Sequence, residues 1–149
     1  MAKINNIEYD EGKVAPAWRY CFCSECERHD DCLRYHTAQH IPDDKAWGYA
    51  IFPTACRNGE CNYFKEIRAV RLAYGFTSAF MDVKNKDVTH LRTDIFALLG
   101  GRATYYRYHR GEYKLLPEQQ EAIAAIFAKY GYTEDLNFDH YCEVLDFSE

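Results

Sequence analysis

Residues 21–36 read C-F-C-S-E-C-E-R-H-D-D-C-L-R-Y-H, and residues 56–61 read C-R-N-G-E-C. Six of the seven cysteines fall in this window: Cys21, Cys23, Cys26, Cys32, Cys56 and Cys61. Core cysteines are usually scattered, so six at short spacings point to a metal site or a disulfide knot. Seven is an odd count for a disulfide framework. The N-terminus M-A-K-I-N-N-I-E-Y-D has no apolar signal-peptide region. A reducing, cytoplasmic setting is therefore expected, and metal rather than disulfides. A structural zinc needs four thiolate or imidazole ligands. By spacing alone Cys23 and Cys26 form the tightest chelating pair, with Cys56 and Cys61 as the second group. His36, four residues after Cys32, is an alternate ligand. A [4Fe–4S] cluster takes four cysteines at similar spacings, so an iron–sulfur cluster stands beside zinc as a cofactor. Six reduced, unliganded thiols are the third reading.

Around this window the chain is 149 residues long, 48% hydrophobic and 16% aromatic, enough for one ordinary domain or two very small ones. No apolar run approaches the ~18 residues of a membrane span, so no membrane is expected as a partner. Charge is uneven. Residues 1–64 hold 7 Lys/Arg against 10 Asp/Glu, residues 65–114 hold 10 against 5, and residues 115–149 hold 1 against 8. The basic middle fits either an anionic partner or internal pairing with the acidic tail.

The W-G-Y-A-I-F run at 47–52 predicts a strand stopped by Pro53, and Asp30–Asp31 predict the start of a short helix. Ile67, Val70, Tyr74, Thr77 and Met81 follow helical spacing. Asn85 or Asp87 caps a second helix with Val88, Leu91, Ile95, Leu98 and Leu99 inward, ended by Gly100–Gly101. A third spans 103–110 with Tyr105 and Tyr108 inward. Pro117 opens a fourth, with Ile123, Ile126, Phe127 and Tyr130 as its apolar face. Residues 137–147 suit a short docking helix. The expected fold is mainly α. A four-helix bundle-like core at 65–149 is joined to a Cys-rich, metal-stapled lobe at 1–64.

The run C-x4-C-x5-C-L-R-Y, with C-N-Y-F, Y-Y-R-Y-H-R-G-E, L-x-P-E-Q-Q, I-x-x-I-F and F-D-H-Y, resembles an uncharacterised family of small bacterial proteins over residues 20–147. That resemblance implies Cys21, Cys26, Cys32 and Cys61 as the metal quartet, leaving Cys23 and Cys56 as extras. It implies no activity. Residues 91–111, L-R-T-D-I-F-A-L-L-G-G-R-A-T-Y-Y-R-Y-H-R-G, also resemble the helix-turn-helix of phage-repressor-type regulators. With Tyr105 and Tyr108 as anchors, Arg102, Thr104, Tyr106, Arg107 and Arg110 are expected to face outward toward duplex DNA. The turn is one residue shorter than in those regulators, and Tyr stands where they carry smaller aliphatic residues.

No nucleophile elbow, phosphate loop or dinucleotide fingerprint is present, so an enzyme is not expected. The leading expectation is a metal-stabilised, DNA-binding regulator. The alternatives are a protein-interaction module with a protein partner, and an iron–sulfur redox or sensor protein.

Overall fold

The computed structural model describes residues 3–56 and 59–149. The chain divides into two compact units: residues 1–69 with 144–149, and residues 70–143.

In the first unit, β1 (Lys3–Ile4) and β2 (Ile7–Glu8) form a small antiparallel hairpin. β3 (Arg19–Cys21) leads toward a single-turn 3-10 segment at His29–Asp31 and then α1 (Leu33–Ala38). β4 (Tyr49–Ile51) pairs with β3 in parallel, with Cys21 opposite Ile51. The core gathers Ile4, Tyr9, Trp18, Tyr20, Leu33, Ala38 and Leu145. Trp18 is 2% exposed, and its indole N–H donates to Thr37 Oγ1 at 3.0 Å, which satisfies the one polar atom that its burial would orphan. The strand expected from W-G-Y-A-I-F is present. The helix start is not at Asp30–Asp31: those residues close the 3-10 turn, and Cys32 is the extended residue before α1.

In the second unit, β5 (Ala69–Tyr74) is followed by the short α2 (Thr77–Phe80), then α3 (Asn85–Leu99), α4 (Arg102–Arg110), α5 (Pro117–Lys129) and β6 (His140–Leu145). Ala69 of β5 and Val144–Leu145 of β6 belong to the first unit. Asp139 N–H donates to Gly75 O at one end and Asp146 N–H to Arg68 O at the other, so the pair runs antiparallel. Leu91, Ile95 and Leu99 of α3 meet Tyr105 of α4 and Ile123 and Phe127 of α5 around Phe76. Leu98, expected inward, is exposed. Gly100 (φ 91°) and Gly101 (φ 127°) make the turn between α3 and α4 in conformations that only glycine adopts readily.

The mainly-α expectation is overturned. Among the described residues the fold is mixed, with five helices and three two-stranded sheets. Two segments account for the error. Residues 67–81 satisfy a helical spacing, yet pairing of 69–74 (A-V-R-L-A-Y) with β6 decides for strand. Residues 140–145 become that partner rather than a docking helix. Gly75 (φ 83°) ends β5 where an added Cβ would lie 2.5 Å from Asp139 Oδ2. That close approach lets the Asp139 carboxylate accept from the N–H groups of Thr77 (3.1 Å) and Ser78 (2.6 Å) at the start of α2.

Candidate metal centre and the α4 face

Six cysteines from four chain segments line one pocket in the first unit: Cys21, Cys23, Cys26, Cys32, Cys56 and Cys61. Three sets of contacts bring them there. The β3–β4 ladder places Cys21 beside Ile51, and the 3-10 turn at Pro53–Ala55 carries the chain on to Cys56. Lys65–Ile67 runs against Asp31–Leu33, through Leu33 N–H to Lys65 O (2.7 Å) and Ile67 N–H to Asp31 O (3.3 Å), and so draws Cys32 toward the segment that leaves Cys61. The third is Arg34, only 4% exposed. Its Nε donates to Tyr63 O at 2.7 Å, Nη1 to Arg19 O at 3.2 Å and Nη2 to Glu149 Oε2 at 2.7 Å, with the guanidinium 4.4 Å from the Trp18 ring. One buried side chain thereby clamps the residues two before Cys21 and two after Cys61. The turn expected across Cys56–Cys61 includes residues 57 and 58, which lie outside the described residues.

The pocket, lined also by Arg28, His29 and Phe64, has room of about 20 Å³, close to that of a single buried water. Cys56 Sγ lies 3.2 Å from Cys26 Sγ. That contact and burial push the Cys56 thiol up to about 11, and burial pushes the Cys21 thiol up as well. Among the described residues, no three His, Cys, Asp or Glu side chains stand at the mutual spacing of a formed metal site. The thiols share a pocket without being closed around a centre.

The alternate ligand His36 does not line this pocket; its Nε2 lies 2.6 Å from Asp30 O. His29 does, with Nδ1 2.6 Å from Cys26 O and Nε2 3.1 Å from Asp30 Oδ1, so both ring nitrogens already have partners. Arg28 lines it too, its guanidinium 3.4 Å from the Phe64 ring centroid. Sequence reasoning passed over His29, although Cys26-x2-His29 has chelate spacing, and over Arg34, whose burial no local pattern signals. Cys142 lies in the other unit.

On α4, Arg102, Arg107 and Arg110 are exposed, while Thr104 and Tyr106 are half-buried. Tyr106 packs on the core and edge-on to Tyr105 at 5.1 Å. Arg107 Nη1 donates to the Tyr113 hydroxyl at 2.9 Å, Arg110 Nε to Glu112 Oε1 at 3.0 Å, and Arg102 lies 5.7 Å from the Tyr106 ring. The outward guanidiniums are thus held by neighbours on or just after their own helix. His109 Nδ1 accepts from Phe76 N–H at 3.1 Å, which fixes it as a packing residue against β5 and α2.

Among the described residues no helix is long and apolar enough to cross a membrane. A model described as a family of unknown function (DUF6078) matches residues 2–147, and the chain belongs to that family. No curated protein and no solved structure matches it.

Proposed function

We propose that this family member is a zinc-binding protein whose thiol pocket is stapled by metal. The observation that carries this reading is the convergence of six of the seven thiols on one small pocket. Thiolate is the preferred soft ligand for zinc, and such a site contributes folding free energy directly. The β3–β4 ladder, the pairing of 65–67 with 31–33 and the Arg34 clamp bring the segments together, and metal would complete what these small elements begin. Protein purified without chelator should carry zinc by elemental analysis, and visible absorption by an iron–sulfur cluster would refute the assignment.

A second reading, favoured by the three exposed guanidiniums on α4, is that the metal-stapled chain binds duplex DNA in the manner of a helix-turn-helix regulator. The Gly100–Gly101 turn between α3 and α4 and the Tyr105 anchor support it. Removing one arginine–phosphate interaction should lower the slope of log affinity against log salt by about 0.9. Indifference to duplex DNA at low salt would end this reading and leave the metal site standing.

A further inference from the structure

We propose that the pocket between α2, α3 and α4 of the second unit binds a small organic monoanion, a carboxylate with an apolar body, through Arg92, Tyr105 and His109. The proposal stands apart from both readings above. No cysteine lines this pocket, and neither do the outward arginines Arg102, Arg107 and Arg110. The pocket has room of about 230 Å³, with Phe80 and the 72%-exposed Met81 on its wall.

The polar groups of all three residues are placed as donors. Phe76 N–H donates to His109 Nδ1 at 3.1 Å, so the neutral ring carries its proton on Nε2, which has no acceptor among the described residues. Tyr105 lines the pocket and is only 3% exposed. The hydroxyls of Tyr9, Tyr20, Tyr130 and Tyr132 donate to carboxylates, whereas that of Tyr105 has no acceptor among the described residues. A buried donor in that position gains by finding one. Arg92, its guanidinium 5.4 Å from the Phe80 ring, makes no salt bridge among the described residues. No Asp or Glu lines the pocket. Asp139, whose charge reaches Tyr105, already accepts from the N–H groups of Thr77 and Ser78.

Charge and shape set the ligand class. One guanidinium offsets one negative charge, and a dianion would leave the second uncompensated beside Phe80 and Met81. A planar carboxylate matches the guanidinium fork, and the two apolar side chains suit a hydrocarbon body.

The test is titration of the full chain with benzoate, followed by the NMR signals of the His109 ring and the Met81 methyl. Saturable shifts of both are expected. Arg92→Gln and Tyr105→Phe should each weaken binding about tenfold or more, as loss of a hydrogen bond to a charged group does. Benzamide, the neutral amide of the same shape, should bind at least about tenfold more weakly. Absence of saturable shifts would overturn the site. Equal binding of benzamide, or unchanged affinity in Arg92→Gln, would overturn the anion assignment. Saturation by inorganic phosphate in place of benzoate would overturn the carboxylate. Arg92 is exposed, so its substitution and the benzamide comparison decide the matter even if Tyr105→Phe does not fold.

Discussion

The thiols of the first unit come from positions 21 to 61 and meet only because a two-stranded ladder, a short antiparallel contact and one buried guanidinium hold four segments together. The α4 face of the second unit is made by nine consecutive residues, Arg102–Arg110, after a two-glycine turn. The first arrangement depends on long-range closure by small elements. The second persists wherever α4 packs on α3 and α5. The difference teaches where each unit is vulnerable: the first through the long-range contacts that close it, the second hardly at all through its exposed charges.

The largest effect is expected at the proposed metal staple. Cys32→Ser should release metal and lower stability by several kcal/mol, on the order of what a structural zinc contributes. Metal content and thermal melting of the same sample check it. Next is the clamp. Arg34→Met removes donors from Tyr63 O, Arg19 O and Glu149, and should cost about 2–4 kcal/mol in urea denaturation of the zinc-loaded protein. Arg34→Lys should recover little, since an ammonium lacks the fork that reaches three acceptors.

Acid sharpens the contrast. Burial tends to raise the Asp139 carboxyl, but the N–H groups of Ser78 and Thr77 bring it below the usual carboxylate range. A depressed folded value means that its stabilisation is full above the unfolded value of about 4 and is lost as pH falls through the folded one. Asp139→Asn should therefore cost about 1 kcal/mol at neutral pH, with the difference from wild type vanishing in strong acid. Protons also compete for the thiolates, so metal release should precede unfolding of residues 85–129 on acidification, as followed by metal-sensitive dye and circular dichroism. The smallest effect belongs to the exposed face. Arg107→Ala should shift stability by no more than about 0.5 kcal/mol. Unfolding by that substitution would mean that the Tyr113 contact anchors the fold.

Legibility in the sequence follows the same division. Gly100–Gly101, Pro117 and the Leu91/Ile95 stripe are local signals, and they locate α3, α4 and α5 within a few residues. β5 and β6 escape such reading because neither contains its own reason for being a strand. Each is extended because the other is there, more than sixty residues away. At the pocket, cysteine count alone points to shared chemistry. Which thiols are neighbours depends on tertiary contacts, and so does the burial of Arg34, which in sequence is one more cation of a short helix. His36 misleads because spacing ignores helix direction: it lies on α1 with its ring turned to Asp30 O, away from the thiols.

The most direct measurement is hydrogen exchange on the full chain before and after zinc is removed by chelation. Metal that staples the first unit predicts loss of protection at Arg19–Cys21, Leu33–Ala38 and Tyr49–Ile51, with the amides of Asn85–Leu99 and Pro117–Lys129 keeping theirs. Unchanged protection at the first set after the metal is gone would contradict it.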